Sequence, residues 1–118
     1  VSGFLAKIVE VIDGDTVVTE VDLSAMTFIL GAVAPWPLRH HVRFLGVDAP
    51  ERNTEAGKAA KAWLTKLALG QDCLVEIVKV DKYGGREDGN VWLAGDPMTL
   101  AQHVIETGHG KPYGGGKR

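Results

Sequence analysis

The chain has 118 residues, enough for one domain around a single core and too few for two. Its composition is that of an ordinary globular protein, and a formal net charge of −2 disfavours a basic nucleic-acid-binding module. Cys73 is the only cysteine, which excludes an intramolecular disulfide and disfavours a cysteine-based zinc site. No apolar run approaches the roughly 20 residues of a bilayer span. Val1 to Ala6 is too short for a secretory leader, a processed form would look the same, and the compartment stays open.

Phe4 to Ile12 is rich in Ile and Val and reads as a first strand. Asp13-Gly14-Asp15-Thr16 follows as a tight turn in which Gly14 can take a left-handed conformation, and Val17 to Val21 alternates as the second strand of a hairpin. Asp-Gly is also a common hairpin turn, so these acids alone decide nothing. Asp22 to His41 is the least readable part: Met26 to Val33 is mostly apolar and Pro35-Trp36-Pro37 breaks any regular element. Arg39-His40-His41 lacks a third ligand at zinc spacing, so these side chains are expected to be solvated or to face phosphate.

Arg43 to Val47 reads as a strand that must end before Pro50, which leaves Asp48 and Glu51 on a stiffened turn. Two acids and an arginine in so short a stretch suit a site that holds a hard cation and handles phosphate oxygens. An ordinary polar turn with Arg43 paired to either acid accounts for the same residues. Glu55 to Leu69 is the clearest helix, with Ala56, Ala59, Ala60, Trp63, Leu64 and Leu67 on its apolar stripe and Lys58, Lys61 and Lys66 off it. Asn53 or Thr54 can cap its start and Gly70 its end. Strands follow over Cys73 to Val80 and Gly89 to Leu93. A second helix is expected from Pro97 to Thr107, capped by Asp96 and stopped by Gly108. The segment from Gly114 is glycine-rich and basic and is expected to be a mobile tail.

Three stretches taken in order carry a resemblance. Ile12-Asp13-Gly14-Asp15-Thr16-Val17, then Arg43 through Asp48-Ala49-Pro50-Glu51, then Asp81-Lys82-Tyr83-Gly84-Gly85-Arg86 are similar to the motifs of the staphylococcal nuclease-like (thermonuclease) family. Gly95, the second helix and Tyr113 continue in matching order, so the resemblance covers nearly the whole chain apart from Asp22 to His41. It implies an α+β fold, a five-stranded OB-type barrel with two packed helices. One domain would run over residues 1–113, with an insertion around 22–41 and a tail over 114–118. The third, C-terminal helix of the family has no counterpart here.

The resemblance further implies Ca²⁺-dependent hydrolysis of DNA and RNA phosphodiesters, leaving a 3′-phosphate and a 5′-hydroxyl. By carry-over, Asp15 and Asp48 are the side-chain metal ligands and the Ala49 carbonyl is a third. Glu51 is the general base or orients the attacking water, and Arg43 and Arg86 stabilise the phosphoryl charge. Asp13 is expected to fix the turn or a metal-bound water. Lys82, Tyr83 and Tyr113 resemble the nucleotide-contacting residues, although surface or core roles fit these three equally. The chain departs from the family pattern in Gly84-Gly85, one residue longer than the usual single Gly, in Ala49 where some members have Thr, and in the longer Asp22 to His41 segment.

The expected partner is therefore a DNA or RNA substrate, recognised with little sequence preference, with no membrane and a monomer favoured. The rival from another class is a catalytically silent OB-type barrel used for binding or as a structural part of a larger assembly. A silent module has no need for two metal carboxylates, a base and two arginines together.

Overall fold

The computed structural model describes residues 3–23, 38–80 and 85–114. The readings of Trp36, Lys82, Tyr83 and the end of the tail lie outside them, as does most of the expected insertion.

β1 (Gly3–Asp13) and β2 (Thr16–Val21) form the hairpin, with two register shifts in β1 that let the long strand bend. β3 (Arg39–Phe44) runs antiparallel to β2, and β5 (Asp72–Val80) runs antiparallel to the first half of β1. β6 (Arg86–Leu93) pairs antiparallel with β5 and parallel with β3, which closes a five-stranded barrel in the order β1-β2-β3-β6-β5. This is the OB-type architecture that the resemblance implies. A two-stranded annex, β4 (Val47–Asp48) with β7 (Lys111–Pro112), lies outside the barrel.

Alternation fills the interior. Ile8, Val17, Val42, Phe44, Val75 and Val91 are fully or nearly fully buried, and Leu64 of α1 (Glu55–Ala68) with Leu100 and Val104 of α2 (Leu100–Glu106) complete the core. Truncating a side chain such as Leu64 to Ala costs about 2–5 kcal/mol at such sites. Among the described residues no helix is long and apolar enough to cross a membrane.

Several local expectations need correction. The strand expected over Arg43 to Val47 begins at Arg39 and stops at Phe44, because Leu45-Gly46 turns with Gly46 at φ +82°, a conformation only glycine adopts at no cost. Arg39, His40 and His41 thus lie in a barrel strand. Glycine at position 14 is not there for a left-handed turn, since its φ is not positive. A Cβ on Gly14 would sit 2.7 Å from the Ala60 Cβ and 3.0 Å from the Ala49 Cβ, so it is close packing of hairpin, helix and turn that requires glycine.

In α1 the buried face is Gly57, Ala60, Leu64 and Ala68, flanked by Trp63 and Leu67, whereas Ala56 and Ala59 are exposed. The stripe is rotated because the helix start docks through Gly57. α2 starts at Leu100, not Pro97, and its cap is Thr99 in a reciprocal capping box with Gln102. Asp96 instead accepts the Met98 N–H and pairs with His103 Nε2 at 2.6 Å.

Candidate active site

The hairpin tip, β3 and the turn after β4 converge on one ionic cluster. Arg43 projects from β3, buried to 6% exposure, and its Nη2 lies 3.1 Å from Asp15 Oδ2 and 3.0 Å from Asp48 Oδ1. Asp15, exposed by 5%, also accepts the Thr16 hydroxyl on Oδ1 at 3.0 Å and the Ala49 N–H on Oδ2 at 3.0 Å. The Asp15 N–H in turn donates to Asp13 Oδ1 at 3.2 Å. One guanidinium thus faces two carboxylates, with a third close by.

The charge balance leaves its mark on Asp15. Burial first, then the neighbouring Asp13 carboxyl, push its pKa up from 3.8 to about 6, against the opposing pull of the Ala49 N–H and Arg43.

Next to this cluster is an open cleft of about 540 Å³ whose lining includes Asp13, Thr16, His41, Glu51 and Arg86. Thr16 and Asp13 belong to both, each bonded to Asp15 while lining the cleft. Glu51 is held there by its backbone: its carbonyl accepts the Thr54 N–H at 3.0 Å and the Thr54 hydroxyl at 2.6 Å. The same Thr54 hydroxyl caps α1 by accepting the Gly57 N–H. A Cβ on Gly57 would come within 1.8 Å of the Glu51 carbonyl oxygen, so glycine is obligatory at this junction. Cap, helix start and acid form one unit with the side chain of Glu51 left exposed.

Arg86 enters the cleft from the start of β6, where the parallel pairing sets it opposite His41. Gly85, directly before it, takes a φ of +63°. The annex fixes Asp48 from the other side, through Asp48–Lys111 pairing and a bond from the Tyr113 N–H to the Gly46 carbonyl. Tyr113 is half-buried beside this turn and does not line the cleft.

His41 is exposed in the cleft as expected, but its neighbour corrects the expectation of solvated histidines. His40 is buried, tilted against Phe4, with Nδ1 2.6 Å from Glu87 Oε1. Arg39 pairs with Glu20 at 3.6 Å on the surface. Arg52 and Asn53 also line the cleft; Arg52 carried no sequence signal beyond following Glu51 directly, and Asn53 stood out only as a candidate helix cap.

A profile of the family described as staphylococcal nuclease homologue matches residues 41–114, more than half of the chain. The chain belongs to this family. The matched span takes in Arg43, Asp48, Glu51 and Arg86. Among similar proteins, a probable endonuclease LCL3 of Yarrowia lipolytica is 32% identical over 64% of this chain and 36% of its own length. Protein ParB of Escherichia coli is 32% identical over 74% of this chain and 41% of its own. An uncharacterized 38.1 kDa protein of Capnoides sempervirens is 37% identical over 48% of this chain and 17% of its own. The chain spans well under half the length of each of these relatives.

Proposed function

We propose that this member of the family is a Ca²⁺-dependent nuclease that hydrolyses DNA or RNA phosphodiesters with little sequence preference and leaves 3′-phosphate ends. The observation that carries the reading is the junction of the Arg43–Asp15–Asp48 cluster with a cleft holding Glu51 and Arg86. Family membership and the relative named as a probable endonuclease support nuclease chemistry in general.

The donor chemistry fits a hard cation. Among the described residues no three His, Cys, Asp or Glu side chains are grouped to hold a metal, so the ligands on offer are two carboxylates with main-chain and water oxygens. Two carboxylates brought within two hydrogen-bond lengths of each other, completed by a main-chain oxygen and water, suit Ca²⁺, which accepts oxygen ligands in flexible geometry. Asp15, Asp48 and the Ala49 carbonyl would hold it, with Asp13 acting through the Asp15 N–H. When bound, the ion supplies electrostatic stabilisation of the phosphoryl oxygens.

The rest of the reaction is assigned to the chain's own groups. Glu51, exposed in the cleft, accepts the proton of the attacking water. As that water's oxygen bonds to phosphorus, the bond to the 5′-oxygen breaks, that oxygen takes a proton from solvent to leave as a 5′-hydroxyl, and the phosphate stays on the 3′ side. Arg86, and Arg43 once turned toward the substrate, donate N–H bonds to the non-bridging oxygens as negative charge builds there. A lysine gives a point charge without the planar fork. Phosphate contacts carry no base identity, hence the low sequence preference. Lys82 and Tyr83 are proposed as contacts to the rest of the nucleotide, and Tyr113 as a contact beyond the cleft.

The test is incubation of end-labelled single-stranded DNA with the chain in Ca²⁺ and in excess chelator. Cleavage only with Ca²⁺, with products that a 3′-phosphatase shifts, is the expected result. Cleavage that survives chelation removes the metal from the reading, and none in either condition favours a silent barrel.

A further inference from the structure

Arg43 contacts its two acids in an unusual way. The same nitrogen, Nη2, serves Asp15 Oδ2 and Asp48 Oδ1, while Nε is buried without a partner and the side chain is only 7% exposed. An arginine built as a permanent lock on a carboxylate presents two parallel N–H donors to its two oxygens. Here one donor is shared between two acids. The guanidinium balances charge more than it matches shape.

Both oxygens of Asp15 are already engaged, Oδ1 by the Thr16 hydroxyl and Oδ2 by the Ala49 N–H together with Arg43 Nη2. A Ca²⁺ ion approaches its oxygen ligands to about 2.3–2.6 Å. At Asp15 Oδ2 and Asp48 Oδ1 that space adjoins Nη2, and the like charges repel at contact distance, least screened on the side of the nearly buried Arg43 and Asp15.

We infer that Arg43 is an internal competitor for the metal: its Nη2 holds the position between Asp15 and Asp48 in the metal-free protein, and Ca²⁺ enters by expelling it. This rests on the reading of Asp15 and Asp48 as metal ligands. The exchange has a consequence for the cleft, because the arginine released from the two acids is the one proposed to meet phosphate. The metal-free protein keeps one donor of its phosphate fork, Nη2, on its own carboxylates. Metal loading and release of the fork are a single event.

The experiment is calorimetric titration of Ca²⁺ into wild type, Arg43→Met and Asp48→Asn, with no substrate present. Competition predicts more than tenfold tighter binding in Arg43→Met and weaker binding in Asp48→Asn. Equal or weaker binding in Arg43→Met, with wild type binding normally, overturns the competition and leaves the metal reading standing. No binding in any of the three overturns both. Should Arg43→Met not fold, side-chain ¹⁵N spectra of the wild type decide instead. The Arg43 Nη hydrogens should be protected from exchange without metal and lose that protection on adding Ca²⁺; protection unchanged by bound Ca²⁺ overturns the inference.

Discussion

Two hollows among the described residues differ in character. The larger, about 710 Å³, is lined largely by apolar groups that include Leu5, Cys73, Leu74, Trp92 and Leu93. The smaller, about 540 Å³, is lined by Asp13, His41, Glu51 and Arg86. Volume alone would choose the first as the site. Chemistry favours the second as the proposed site, because there an exposed carboxylate and an arginine adjoin the Arg43–Asp15–Asp48 cluster. The difference also concerns how each wall is held. Ala6 and Cys73 beside the apolar hollow belong to the core and Leu5 and Leu93 pack on it, whereas Glu51 is fixed by its backbone and leaves its carboxylate exposed.

The comparison predicts a double dissociation. Glu51→Gln should lower turnover by about 10²–10⁴-fold, the range ascribed to general-base catalysis, with a melting temperature like that of wild type. A melting temperature that falls with the rate would place Glu51 in the structure instead. Arg43→Lys should come next, with a severe loss of rate because a point charge replaces the planar fork; an unaffected rate would make Arg43 a strand residue only. Leu93→Ala, on the apolar side, should do the reverse. It should cost about 2 kcal/mol of stability while kcat per folded molecule stays unchanged, as urea unfolding and a rate assay on the same sample would show.

The titration of Asp15 sharpens the contrast further. Its carboxyl has a pKa raised from 3.8 to about 6, so the folded protein holds this proton more tightly than the unfolded chain does. The stabilisation from that proton is complete below about pH 3.8 and is lost as pH rises through about 6. In the absence of metal, Asp15→Asn should flatten the pH dependence of stability over that window. An unchanged slope would show that Asp15 titrates normally. The smallest effect belongs to Cys73 on the apolar wall. Burial pushes its thiol up to about 12, so the native protein should resist alkylation at pH 8 and react only when unfolded.

Much of this was legible in the sequence because it rests on local rules. Alternating β-branched runs marked the strands, Thr54 was one of two candidate caps, and the acids and arginines stood out by type. What was hidden depends on contacts between elements distant in sequence. Gly14 looked like a turn glycine, but its role is set by Ala49 and Ala60, which no local pattern reveals. The rotation of the apolar stripe in α1 follows from Gly57 docking against the Glu51 carbonyl. Asp96 was the expected cap of α2, and Thr99 was not. Only the fold shows that Asp96 is engaged by Met98 and His103, leaving the cap to Thr99. His40 and His41 are adjacent in sequence yet point to opposite faces of β3, so one pairs with Glu87 inside and the other lines the cleft.

The most direct test of the account is turnover of single-stranded DNA by Glu51→Gln at saturating Ca²⁺, beside wild type, with the melting temperature of both. The account predicts a loss of at least about a hundredfold in rate at an unchanged melting temperature. A variant as fast as wild type would contradict it, and would move the catalytic base away from the cleft on which the reading is built.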